Sequence, residues 1–175
     1  MAHSYSASYP PNLSVDPGIV SFFEKFYEVS DTPPAHEDYA DSFADDATFQ
    51  IGIKQVKGKA DILKMRQGMW EVVTSRKHTV YKVFPFGEKT TEFMLYGKVE
   101  YGFKDGRETS VDWAGRAEVI NDGGKWKFKF YQVYLVSGRS EQVGIGRLLT
   151  CWVTGFRGYE RLIGSRRSLG LRFVI

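Results

Sequence analysis

Cysteine and histidine are scarce in this chain. A single cysteine, Cys151, leaves no internal disulfide framework and no Cys-based zinc site. The histidines, His3, His36 and His78, stand too far apart for metal-ligand spacing. Nothing in the sequence calls for a metal or another cofactor. No apolar run reaches the length of a membrane span. Residues 1–15 are polar and lack the apolar centre of a signal peptide, so the expectation is a flexible N-terminus on a cytoplasmic protein. A glycine-rich phosphate loop and a Gly-x-Ser-x-Gly nucleophile elbow are also missing. Basic excess is absent from most of the chain. Residues 1–136 carry 17 basic and 19 acidic side chains, and residues 137–175 carry 7 and 2. Binding of nucleic acid by the first 136 residues therefore has no electrostatic support.

Aromatic residues, at 15%, are plentiful and suit either a thick core or an aromatic-lined pocket. The first 75 residues read mostly as helix. Asp16-Pro17 is a helix start, because Asp accepts from the first turn and Pro fits the first helical position. Ile19, Val20, Phe22, Phe23, Phe26 and Tyr27 follow at helical spacing, to about Ser30. Pro33-Pro34 opens a second short helix through Tyr39 and Phe43. Asp45 and Asp46 read as turn formers. A strand over residues 46–53 then places Phe49, Ile51 and Ile53 on one side. Gly58 to Val73 reads as a third helix, with Ile62, Met65, Met69 and Val73 on one face.

From Ser75 the period changes to two. Strands are expected over residues 76–84, 90–103, 108–120 and 125–135. Asp105-Gly106 and Asn121-Asp122-Gly123-Gly124 supply the hairpin turns. The expected fold is α+β, with three helices over the concave side of a curved, mostly antiparallel sheet. In the last strand Trp126, Phe128 and Phe130 alternate with lysines, and Tyr131 falls on the outer face with Tyr96.

The stretches F-A-D-D-A-T at Phe43–Thr48, K-G-K-A-D-I at Lys57–Ile62, R-K-H-T-V at Arg76–Val80 and D-G-G-K-W-K-F at Asp122–Phe128 occur in an order that carries a resemblance. Along about residues 16–136 the chain resembles the cone-shaped superfamily of nuclear transport factor 2, ketosteroid isomerase, scytalone dehydratase and the SnoaL-like polyketide cyclases. It is most similar to the small SnoaL-like proteins of fungal secondary-metabolite pathways. The resemblance implies a deep cavity, a hydrophobic oxygenated ligand such as a polyketide or terpenoid, and often a homodimer. It leaves two classes of function: a cofactor-independent cyclase, isomerase or dehydratase working by acid–base catalysis, or a non-catalytic ligand-binding or dimerising module.

The ketosteroid isomerases place a general base where this chain has Ile51, which cannot move a proton. His78 is the candidate acid–base, since imidazole titrates near neutrality. The scytalone dehydratase branch also places a pocket histidine in this strand. The other reading of His78 is a surface residue between Lys77 and Thr79. Asp112 is a candidate carboxylate, but alternation turns it outward toward Arg116 unless its strand is bulged. Tyr27 and Tyr39 are either hydrogen-bond donors to a carbonyl or enolate oxygen, or core tyrosines with their hydroxyls at the rim. Phe26, Phe49, Trp70, Tyr101, Trp113, Phe128 and Phe130 are the candidate substrate-binding walls.

Residues 137–175 depart from the rest in using Arg without Lys. They read as an atypical basic tail, either disordered or an artefact of the gene model. The competing reading is an amphipathic helix on a membrane, built from Ile145, Leu148, Leu149, Trp152, Val153 and Phe156.

Overall fold

The computed structural model describes residues 3–135. The expected tail over residues 137–175 lies outside them. Helix α1, Pro17–Asp31, starts as its sequence dictates: Asp16 Oδ1 accepts from Gly18 N at 2.7 Å, and Pro17 occupies the first turn. Its apolar stripe buries Ile19, Phe23, Phe26 and Tyr27. The short α2, His36–Asp41, follows the Pro33-Pro34 break and buries Tyr39 and Ala40. Strand β1, Phe43–Ile51, and β2, Lys54–Lys57, form a hairpin, and α3, Lys59–Met69, opens directly after Gly58. Then come β3, Val73–Pro85; β4, Glu92–Phe103; β5, Glu108–Asp122; and β6, Lys125–Leu135.

The six strands make one sheet in the order β2-β1-β6-β5-β4-β3. Every pairing is antiparallel except β1 with β6, which is parallel. The fold is α+β with a curved, open sheet. The three helices all precede β3, with the β1–β2 hairpin between the second and the third. Among the described residues no helix is long and apolar enough to cross a membrane.

Six local readings of the sequence need correction. Phe43 and Val73, read as the ends of the second and third helices, instead open β1 and β3. The Asp45-Asp46 pair does not turn the chain. Both lie exposed inside β1, where pairing with β6 is irregular between Phe43 and Thr48, so the acidic pair marks a bulge. Ile53 is not on an inward strand face. The chain reverses at Gly52, whose φ of 55° is one that glycine adopts without strain, and Ile53 is 84% exposed at the hairpin tip. Phe130 does not face inward and Tyr131 does not face outward. Pairing of β5 with β6 shifts between Glu118 and Val119, where Lys129 is the extra residue opposite. The bulge reverses the alternation, so Phe128 and Tyr131 are both buried. Phe130 ends half-buried on the outer face, with the Arg116 guanidinium 4.8 Å from its ring centre.

The N-terminal residues, expected as a flexible lead-in, run beside the free edge of β3. Ser8 N donates to Tyr81 O and Val83 N donates to Ser8 O, each at 3.0 Å. Gly97 sits at a tight crossing. A Cβ there would lie 2.1 Å from Thr79 O and 3.1 Å from Trp113 Cζ2. The missing side chain lets β3 and the Trp113 indole close up beside His78.

Candidate functional site

Six elements line one cavity. Helix α1 contributes Phe26, Tyr27 and Ser30, and α2 contributes Tyr39. The strands contribute Phe49 and Ile51 from β1, Arg76 and His78 from β3, Trp113 from β5, and Tyr131, Val133 and Leu135 from β6. Arg76 and His78 reach the same wall because residues two apart on a strand share a face. The cavity itself is about 40 Å³.

His78 is the polar centre of this wall. Its ring centre lies 5.2 Å from that of Tyr27 and 5.9 Å from that of Trp113. His78 Nδ1 lies 2.5 Å from Asp31 Oδ1, and the His78 backbone N–H donates to Asp31 Oδ2 at 2.6 Å. Asp31 is the last residue of α1, so the end of a helix and the middle of β3 meet at this pair. Burial pushes the His78 ring below its ordinary pKa; the hydrogen bond and charge of Asp31 oppose that push, and Arg76 and Arg66 reinforce it. The neutral ring donates Nδ1–H to the carboxylate. Its Nε2 then carries a lone pair and has no hydrogen-bond partner among the described residues.

Around the pair stand the donors. Tyr27 and Tyr131 hydroxyls are 2.9 Å apart in the buried interior. Burial raises both, along with Tyr39, and Tyr39 is pushed up to about 12. All three therefore stay protonated at neutral pH. Trp113 Nε1 is buried with no acceptor among the described residues. Arg76 donates through Nη2 to Ser30 O and, at 3.0 Å, to Ser30 Oγ. Its Nε is 3.6 Å from Asp31 Oδ1. Arg66, fully buried behind Tyr39, is pulled down to about 9, first by burial and then by the Arg76 charge. No group of three or more His, Cys, Asp or Glu side chains suited to a metal occurs among the described residues.

His78, Tyr27 and Tyr39 from the sequence-based set come together here, with Phe26, Phe49 and Trp113 as walls. Ile51 also reaches the cavity, as an apolar contact. Asp112 does not. The β4–β5 register runs without a break from Glu92–Glu118 to Gly102–Glu108, so no bulge turns it inward, and Asp112 is exposed opposite Lys98. Trp70, Tyr101 and Phe128 are buried, but in the core rather than in the lining. Trp70 lies under both buried guanidinium groups. Sequence reasoning missed Asp31, Arg76, Ser30 and Tyr131. A usable signal existed only for Arg76, which stands two residues from His78 on the same strand.

No protein-family model matches the chain, and no curated protein does. The structure is similar to solved structures of the nuclear transport factor 2 type. A protein of Novosphingobium aromaticivorans provisionally named an aromatic ring hydroxylase matches with a TM-score of 0.63 at 20% identity, over 69% of this chain and 88% of its own. A second protein of that organism, provisionally named a scytalone dehydratase, matches with a TM-score of 0.62 at 15% identity, over 69% and 83%. Nuclear transport factor 2 of Cryptosporidium parvum matches with a TM-score of 0.56 at 13% identity, over 71% and all of its length. At these identities the likeness is one of fold, and this fold hosts both enzymes and non-enzymes.

Proposed function

We propose that this protein is a small cofactor-independent enzyme that moves a proton at carbon beside a carbonyl, as an isomerase, dehydratase or cyclase. The observation that carries the reading is the Asp31–His78 pair at the cavity wall. Asp31 fixes the ring so that Nε2 is the basic nitrogen. Nε2 takes the proton from the activated carbon, and the electron pair moves onto the carbonyl oxygen. Tyrosine hydroxyls of the lining and Arg76 are donors that favour that enolate. The imidazolium, held by Asp31, then returns the proton to another carbon or to a departing hydroxyl.

The aromatic lining suits a hydrophobic oxygenated body such as a polyketide or terpenoid, and we place the activity in fungal secondary metabolism. The fold likeness to a protein named a scytalone dehydratase supports dehydration among the three reactions. We further propose a homodimer formed through the outer sheet face.

The test needs no knowledge of the true substrate. Aryl ketones and β-hydroxy ketones are incubated with the protein in D₂O, and exchange at the α-carbon is followed by proton NMR. Exchange above the buffer rate is expected, with His78→Ala slowing it roughly a hundredfold or more. Equal exchange by the variant, or none by the native protein across the series, overturns the reading. A second reading, a ligand-binding or dimerising module without catalysis, is favoured by the small cavity. Ordinary ligand pockets run from roughly 300 to 1,000 Å³.

A further inference from the structure

We infer that this cavity is built to hold a compact oxyanion, a carboxylate on an apolar body, beside Arg76. The basis is an excess of buried positive charge. Arg66 is 0% exposed and Arg76 is 7% exposed. One carboxylate, Asp31, lies near them; it pairs with Arg76 Nε at 3.6 Å while hydrogen-bonding His78 through both oxygens, so one buried positive charge is left over. Arg66 has no ion pair among the described residues.

Helix capping accounts for part of this arrangement. Arg66 Nη2 donates to Val29 O at 3.3 Å and Thr32 O at 2.9 Å, and Arg76 Nη2 donates to Ser30 O. These bonds close the carbonyl end of α1, where positive charge is favoured. Arg76 Nη1 reaches only the sulfur of Met69, at 3.8 Å. Capping leaves Arg66 Nε, Arg66 Nη1 and Arg76 Nε with no hydrogen-bond acceptor, although Arg76 Nε lies 3.6 Å from Asp31 Oδ1 and Arg66 stands behind the lining rather than in it. The Tyr39 and Trp70 rings, each 4.8 Å from the Arg66 guanidinium carbon, soften the charge without neutralising it. A buried charge left in this state is costly, and an anion entering beside it offsets that cost.

The lining points the same way. Apart from the single His78 Nε2 lone pair, it holds one guanidinium, the hydroxyls of Ser30, Tyr27, Tyr39 and Tyr131, and the unpaired Trp113 N–H, with no carboxylate. Such a wall receives a ligand that accepts hydrogen bonds. Size narrows the choice. A water needs about 10–15 Å³ of such a cavity. The cavity's 40 Å³ therefore suits a head of two or three heavy atoms, as in a carboxylate. Val133 and Leu135, half-buried near the end of β6, mark where the apolar body emerges.

The experiment titrates the full chain with benzoate and with benzamide, its neutral counterpart of equal shape. Tryptophan fluorescence gives the affinities, and NMR follows the His78 ring protons. Benzoate is expected to bind at least about tenfold tighter, as a charge-assisted contact requires. It should also shift the His78 resonances, and Arg76→Met should shrink the preference. Equal affinity for the two compounds in the native protein overturns the inference, whether or not that variant folds. A benzoate preference that leaves His78 unmoved places the anion elsewhere and overturns it too. Proton exchange reads His78 while this titration reads the arginines, so either conclusion can fail alone.

Discussion

The His78 ring sits between two opposing influences, burial and the Asp31 carboxylate, and burial is the larger. Its folded pKa therefore lies below the 6.5 of a free imidazole. As pH falls, the unfolded chain takes up this proton first. The contribution of the group to stability is thus full above pH 6.5 and is lost as pH falls through the folded value. We expect the native melting temperature to drop on acidification below pH 6.5, with a shallower drop in His78→Gln. An equal drop in both would assign the effect to other groups. Catalysis should follow the same ring: the acid limb of kcat/KM is expected to have its midpoint below 6.5, because the base must be neutral. The tyrosine pair gives a second residue-scale outcome. Tyr27→Phe strands the Tyr131 hydroxyl in the interior at a cost of roughly 1–3 kcal/mol, and adding Tyr131→Phe should recover part of it. Urea titrations of the two single variants and the double variant measure this directly. At this scale the sequence exposed His78 and the two tyrosines by residue type. It hid Asp31, because Ser30-Asp31-Thr32 before two prolines reads as an ordinary helix end. The contact that matters joins positions 47 apart in the chain, and no local pattern records it.

Among the elements, α1 and the two glycine-rich hairpins follow their local signals closely. Gly106, Gly123 and Gly124 all take the positive φ that their turns require. The four-residue β2 was not legible, because so short a segment carries too few alternations to stand out from the loop before α3. The β6 bulge was not legible for a different reason. Trp126, Phe128, Phe130 and Tyr131 are all apolar enough to face inward, so a phase change at Lys129 leaves no mark in residue type. It decides the site nonetheless, since it turns Tyr131, Val133 and Leu135 toward the cavity. The reversed phase makes neighbouring aromatics unequal. Tyr131→Ser should cost roughly 3–5 kcal/mol, in the range of large-to-small changes at a buried aromatic, while Phe130→Ser should cost less than half as much. Denaturant midpoints at unchanged slope provide the comparison. Equal losses would mean that the bulge does not set the phase of β6.

For the whole molecule, the outer face of the sheet has features that the interior does not explain. Its charged groups are largely paired: Arg116 with Glu92 and Glu118, and Lys98 with Glu100. Beside them Tyr81, Phe84, Met94 and Tyr96 are exposed together. Tyr81 and Tyr96 ring centres are 5.7 Å apart, and Phe84 stacks on Tyr96 at 6.0 Å. Scattered apolar residues on a surface need no explanation, whereas a contiguous aromatic cluster rimmed by charges is where the proposed homodimer would form. A second copy meeting this cluster through its own sheet would make each Tyr96 a central contact under twofold symmetry. Light scattering is therefore expected to give a dimer mass at micromolar concentration. Tyr96→Glu should give a monomer, because it buries two like charges near the axis. A monomeric native protein would remove the homodimer, and a Tyr96→Glu variant that stays dimeric would move the interface to another face. Both outcomes leave the cavity chemistry standing, because none of the four cluster residues lines it.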